Sequence, residues 1–288
     1  MKKWWIWVSM FLVLSGCGFG EEQDVKITVD AKIPIDGTSP SLQLTRKQVY
    51  TGSLVLVNKE RKLHKEAVPN DIIDLGVRDE LTKGFELLES SILLSEKVAR
   101  KFGEMVEAAA KDGVHDFRIS SGYRDMSDQE QLFEEKGEDY ALPAGHSEHN
   151  LGLSLDIGST SGPIDQSAEG NWLKKNAWNY GFILRYPKDK TNITGIQYEP
   201  WHFRYVGLPH SLIMKEKDFV LEEYLAYLKD QGSIQVEAGG ETYQIIYVPA
   251  YVPVSKQPKV SIPSGSKYDV SGDNIDGYIV TVLLTNIL

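Results

Sequence analysis

The sequence predicts an α+β fold, with helices packed on a mostly antiparallel sheet and a small β-rich appendage at the C-terminus. Two observations carry that prediction. Residues 95–111 place Val98, Phe102, Met105, Val106 and Ala109 on one apolar stripe at helical spacing, closed by Gly113, while neighbouring runs alternate with the period of a strand. After Gly232 the texture changes, and residues 234–248 and 259–284 carry short β-like runs punctuated by Gly, Pro and Asn. A chain of 288 residues, 41% of them hydrophobic, can bury one sizeable core and still carry an appendage.

The N-terminus reads as a secretory signal. Two lysines precede an apolar run from Trp4 to Leu14, too short to span a bilayer comfortably. Leu14-Ser15-Gly16-Cys17 looks like a bacterial lipobox, which makes Cys17 the lipidated first residue of the mature chain. Cys17 is the single cysteine, so no disulfide forms within the chain. Acyl chains partition into lipid at about 0.8 kcal/mol per CH₂, and several of them make a stable anchor. The expected place is therefore the outer face of the cell membrane. The net charge of −10 gives no electrostatic reason to adhere to anionic lipid and argues against a nucleic-acid surface. Residues 17–46 are polar and without sustained periodicity, and read as a tether.

Residues 49–57 alternate and are rich in β-formers, which predicts a first strand. After the helix at 95–111, residues 116–120 read as a strand leading into the turn Ser121-Gly-Tyr-Arg124. A second helix opens on a capping box at 127–130 and stops near Gly137. Residues 169–180 read as a helix closed by Gly181, residues 182–186 as a strand, 187–195 as a polar lip, and 208–228 as two short helices.

Chemistry concentrates in AGHSEHNLGLSLD, residues 144–156. From Leu151 the large apolar residues Leu151, Leu153, Leu155 and Ile157 fall on alternate positions, leaving Gly152, Ser154 and Asp156 on the other face. A buried Asp in so apolar a strand needs a partner. His149 sits in the turn just before it, so an imidazole and a carboxylate converge. His202, in EPWHFRY at 199–205, is the candidate third ligand. Two His and one carboxylate with an open fourth position is a catalytic zinc arrangement. Glu199 and His202 have opposite parity, so an irregularity at Pro200 must bring both to one cavity. Trp201, Phe203 and Tyr205 read as core or wall. His64 and His115 read as surface residues, His146 as a decoy at the rim, and His210 is assigned no role.

Ser147-x-His149-x-x-Gly152-x-x-x-Asp156 followed by Glu199-x-Trp201-His202 resembles the zinc D,D-carboxypeptidase and D,D-dipeptidase family, VanY-type D-alanyl-D-alanine carboxypeptidases in particular. The resemblance extends to Ser120-Ser-Gly-Tyr-Arg124, Tyr140-Ala-Leu-Pro143, YGFILRYP at 180–187 and SGDNIDG at 271–277. Many relatives have Ala where this chain has Ser154. The resemblance implies a D,D-peptidase/Hedgehog-like zinc peptidase fold, divided as a lipoprotein signal (1–16), a tether (17–46), a catalytic domain (47–230) and the appendage (231–288). It implies Zn²⁺ on His149, Asp156 and His202. Glu199 is then the general base, Arg124 and Ser147 hold the oxyanion and the terminal carboxylate in either order, and Tyr186 contributes a hydroxyl to substrate. The implied substrates are peptidoglycan stem peptides or lipid-linked wall precursors ending in D-alanyl-D-alanine, in wall remodelling with a contribution to glycopeptide resistance. Three readings compete: an L,D-carboxypeptidase acting on tetrapeptide stems, a wall endopeptidase, and a zinc-bearing wall-binding module without catalysis. Glu199 beside the ligands disfavours the last, because a structural site gains nothing from an extra carboxylate.

Overall fold

A computed structural model describes residues 24–29, 39–138, 140–251 and 258–284. Cys17 and the signal segment lie outside the described residues. Among the described residues, two five-stranded sheets carry most of the β-structure. The first has the order β4 (Phe85–Leu87), β6 (Phe117–Ser121), β7 (Ser154–Ser159), β9 (His202–Tyr205), β8 (Phe182–Leu184). Only its β4–β6 pair is parallel. The second has the order β1 (Lys26–Val29), β10 (Ser233–Ala238), β11 (Glu241–Pro249), β14 (Gly277–Leu283), β13 (Lys267–Gly272), antiparallel throughout. Two short antiparallel ladders complete the pairing: β2 (Ser41–Gln43) with β12 (Lys259–Ser261), and β3 (Ile72–Asp74) with β5 (Leu93–Ser95).

The period of each segment explains its place. In α1 (Glu96–Lys111) the stripe Val98, Ala99, Phe102, Met105, Val106 and Ala109 is buried. It packs on Ile119, Leu155, Ile157, Phe203 and Tyr205 from one face of the first sheet, with Trp172 and Leu173 of α3 (Ala168–Asn176) beside it. The Ser95 hydroxyl caps α1 by accepting from the Val98 amide. In α2 (Met126–Lys136) the cap is Asp125, whose carboxylate accepts from the Ser127 and Asp128 amides, so the helix begins ahead of the expected capping box. Below the second sheet, Ile213 of α5 (His210–Lys217) and Leu221, Tyr224, Leu225 and Leu228 of α6 (Leu221–Gln231) pack on Ile234, Val236, Ile245 and Ile279. The polar lip contains a short helical turn, α4 (Thr191–Thr194).

The structure corrects two expectations. Residues 49–57 are not a strand: residues 46–50 form a 3₁₀ turn, and residues 51–57 continue as a strap that joins no ladder. The alternation is real but has another cause. Leu54 and Leu56 point into the core under the second sheet, and Val55 and Val57 into the core of the first. Side chains stand in for ladder partners: Arg204 Nη2 donates to the carbonyls of Ser53 and Val55, and the Leu54 amide donates to Ser271 Oγ. Within the span read as a tether, residues 26–29 and 41–43 are strands. β1 pairs with a strand more than 200 residues away, the Lys26–Glu237 ion pair spanning 211 residues. Four residues are too few to display a period.

Candidate active site

The turn before β7 and the register of β7 against β9 build the site. Residues 148–151 form a 3₁₀ turn whose cap is Ser147, accepting from the His149 amide at 3.3 Å. Gly152 ends that turn at φ +68°, and a Cβ there would meet Ile72 Cδ1 at 2.4 Å. The positive φ favours glycine, and its turn fixes where His149 points. Leu151 and Leu153 are buried as the alternation required, but the ladder begins only at Ser154. Asp156 is the direct cross-strand partner of His202, so their side chains share a face.

Ligand atoms of His149, Asp156 and His202 all lie within 4.8 Å of one another. Each imidazole is oriented by a second partner. His149 Nδ1 is 2.6 Å from the Gly122 carbonyl, which leaves Nε2 facing Asp156 at 3.4 Å. His202 is turned the other way round, with Nε2 3.4 Å from Glu148 and Nδ1 3.1 Å from Asp156. Hydrogen bonds of this kind fix the tautomer and leave one nitrogen free as a donor. Burial pulls the His149 pKa down, keeping that ring neutral. For His202 burial acts in the same direction, but its hydrogen bonds to Asp156 and Glu148 outweigh it and lift the pKa to about 9. Two imidazoles and a carboxylate converging on one point fit a zinc-type ion.

Glu148 and its partners are the part sequence reasoning missed. Its side chain is fully buried, accepting from Arg185 Nε at 2.8 Å and Arg204 Nη1 at 2.7 Å on one oxygen, and from Ser154 Oγ at 3.0 Å on the other. Arg185 also grips Glu222 of α6 with both terminal nitrogens. Burial would raise the Glu148 pKa, but Arg204 and Arg185 hold it well below the usual carboxylate range. Ser154 thus supplies a hydrogen bond to the carboxylate that orients His202.

Glu199 stands in a turn ahead of β9, the His202 amide donating to its carbonyl at 3.2 Å. That turn, rather than a bulge within a strand, resolves the parity conflict. Its carboxylate lies 3.7 Å from His202 Nδ1, and burial raises its pKa. The same cleft is lined by Arg124, Ser147, Glu148, His149, Asp156, Tyr186, Glu199, Trp201 and His202, so every expected site residue among the described ones meets there. Arg124 Nε has no hydrogen-bond partner among the described residues, and its charge faces Asp156 and Glu199. Tyr186 is buried with its ring 4.9 Å from that of His202. Trp201 is 42% exposed on the cleft wall, while Phe203 and Tyr205 are core. His146 instead hydrogen-bonds the Asn58 carbonyl. His210 is buried between Tyr224 and Thr281.

Two imidazoles and a carboxylate at one point, with a second carboxylate and the Arg124 guanidinium beside them, define a metal-dependent hydrolase centre. Residues 91–208 match the family model of VanY, D-alanyl-D-alanine carboxypeptidase. A D-alanyl-D-alanine carboxypeptidase of Enterococcus faecium is 54% identical over 249 residues, covering 85% of this chain and 81% of that protein. The bifunctional D-Ala-D-Ala dipeptidase and carboxypeptidase VanXYC of Enterococcus gallinarum is 38% identical, covering 61% of this chain and 95% of its own. Among solved structures, the vancomycin-resistance D,D-dipeptidase VanXYg in complex with a D-Ala-D-Ala phosphinate analogue superposes with a TM-score of 0.72. It has 33% identity and covers 86% of this chain and 100% of that one. The chain belongs to the VanY family of D-alanyl-D-alanine carboxypeptidases.

Proposed function

We propose that the protein is a zinc-dependent D,D-carboxypeptidase that removes the terminal D-alanine from peptidoglycan stem peptides ending in D-alanyl-D-alanine. The observation that carries this is the convergence of His149 Nε2, Asp156 and His202 Nδ1 in one cleft with Glu199 and Arg124. His149, Asp156 and His202 would hold the zinc, which when bound brings a water pKa to about 7 and polarises a carbonyl. Glu199 takes the proton of the attacking water and returns it to the departing amine as the peptide C–N bond breaks, work suited to a carboxylate whose pKa burial has raised. Arg124, with an unused donor, stabilises the negative oxygen that develops on the scissile carbonyl. The Ser147 hydroxyl accepts from the His149 amide and keeps its own hydrogen to donate to the terminal carboxylate. Those two roles are exchangeable between Arg124 and Ser147. Tyr186 closes the wall against His202 and offers its hydroxyl to substrate.

The test is mass spectrometry of pentapeptide and tetrapeptide stems incubated separately with the zinc-loaded protein. Loss of one D-alanine from the pentapeptide alone is expected, abolished by chelator. Glu199→Gln should keep zinc and lower turnover by about 10²–10⁴-fold, the usual share of a general base. Cleavage of the tetrapeptide with the pentapeptide left intact would establish an L,D-carboxypeptidase instead.

The same reading places the protein on the outer face of the cell membrane, held by acylated Cys17. The lipobox pattern supports this. Among the described residues no helix is long and apolar enough to cross a membrane. A labelled lipid precursor should enter the wild-type protein and not Cys17→Ser, and anchoring that survives the substitution would overturn the lipoprotein reading.

A further inference from the structure

The cleft continues past the metal-binding cluster. Lys59, Glu138, Ala141 and Leu142 line it and also line a second basin, closed by Phe133 and Pro143. Lys59 thus stands at the far margin of the cleft, where it opens into this basin. Besides the histidines, Lys59 and Arg124 are the cationic side chains of the cleft lining. Arg124 is already assigned to the developing oxyanion or the terminal carboxylate. Lys59 is exposed and forms no ion pair among the described residues.

The backbone that carries Lys59 is held from three directions. Asn274, in the turn before β14, donates to the carbonyls of Leu56 and Lys62 at 2.9 and 3.0 Å. His146, from the loop before the metal ligands, bonds the Asn58 carbonyl at 2.9 Å. Asn58 in turn donates to Glu222, the carboxylate that pairs with Arg185. Asn58 Oδ1 closes the loop on the Glu60 and Arg61 amides, both at 3.0 Å. The loop is thus fixed, and its lysine, without an ion pair among the described residues, lines the cleft with its stem near Gly195.

We infer that Lys59 receives a substrate carboxylate, and that the occupant of the outer basin is the part of the stem peptide N-terminal to the scissile bond. This rests on the carboxypeptidase reading. A peptide in which a γ-linked glutamate keeps its α-carboxylate, followed by a residue with a free amine, presents one charge of each sign. The basin offers Lys59 and Glu138 over an apolar floor of Phe133, Leu142 and Pro143. The C-terminal segment, through Asn274, thereby positions a substrate-binding residue instead of merely covering a sheet. The terminal carboxylate is the other possible source of the same chemistry, and a choice of three substrates separates the two.

The experiment compares wild type, Lys59→Ala and Lys59→Arg, zinc-loaded, on those three substrates. They are a pentapeptide stem with the glutamate α-carboxylate free, the same stem with that group amidated, and N-acetyl-D-alanyl-D-alanine. D-Alanine release by wild type checks the underlying reading first. Its absence would defeat that reading and this inference together. With wild type active, Lys59→Ala should raise KM about fivefold on the free-carboxylate stem, the size of a charge pair at a partly solvated site. It should leave kcat and the other two substrates unchanged, and Lys59→Arg should restore KM. Raising the salt should shrink the wild-type preference for the free carboxylate. An equal KM rise on all three substrates would assign Lys59 to the terminal carboxylate and overturn the outer-basin assignment. No change on any of them would overturn the inference altogether.

Discussion

The face of the first sheet turned away from α1 buries Ser154, His202 and Arg204, with Glu148 and Arg185 packed against them; all are almost inaccessible. The corresponding face of the second sheet buries Ile234, Val236, Ile245 and Ile279. The first is largely ionic, apart from Ile183, which joins the core under the second sheet, and the second is apolar. An ionic interior is the costlier choice, because each charge must be withdrawn from water. What the first sheet gains is orientation. Glu148 can hold the His202 ring only if two guanidinium groups neutralise it, and they in turn require Glu222 and the strap carbonyls. The proposed metal ligands therefore rest on a charged foundation, while the second sheet is fastened by ordinary packing.

Three measurements put that contrast at risk. The largest effect is expected from Glu148→Ala. It leaves buried Arg204 with carbonyl partners alone and buried Arg185 with Glu222 alone, and should cost about 3–5 kcal/mol, as for a broken buried pair. Chelator competition should show weakened zinc binding in whatever fraction folds. A variant as stable as wild type with unchanged zinc affinity would mean that the network is ornamental.

His210 gives an intermediate effect. It is clamped between Tyr224 and Thr281 at the junction of the α-helices and the second sheet, and burial lowers its pKa to about 3. Because the folded value lies below the ordinary 6.5, the unfolded chain takes up the proton first. The penalty is absent above about pH 6.5 and grows as pH falls toward 3. Between pH 6.5 and 5 the stability difference between wild type and His210→Gln should shift by about 1.6 kcal/mol in favour of the variant. Urea melts at the two pH values would show it, and parallel pH profiles would rule it out. The smallest effect is expected from Ile279→Val in the second sheet, about 0.5–1.5 kcal/mol. Turnover at saturating substrate should not move. A fall in kcat would tie this sheet to the chemistry more closely than packing does.

The same contrast explains what could be read in advance. His149, Asp156 and His202 were legible because a turn and a strand period are local, and because EPWHFRY carries its own polar residues. The helix stripe of α1 was legible for the same reason. Glu148 was not. It sits next to His149 in a polar turn, and its Arg partners lie 37 and 56 residues away. Residues 49–57 misled because alternation reports two buried faces, and a sheet between them is only one way to provide that. Here the two faces belong to different cores.

The strap has a consequence for how the chain folds. Its carbonyls meet Arg204 149 and 151 residues downstream, and its Leu54 amide meets Ser271 217 residues downstream. Contacts of such long sequence separation form late, since the loop must close before they are rewarded. Until they form, Leu54 and Val55 have only half of their surroundings, so neither core is complete without the other. Unfolding should then be a single cooperative event. In hydrogen exchange, a fragment ending at residue 231 should leave the amides of β6, β7 and β9 unprotected. Protection there would show that the first sheet stands by itself; its absence would mean that competence for catalysis arrives only when the last strand does.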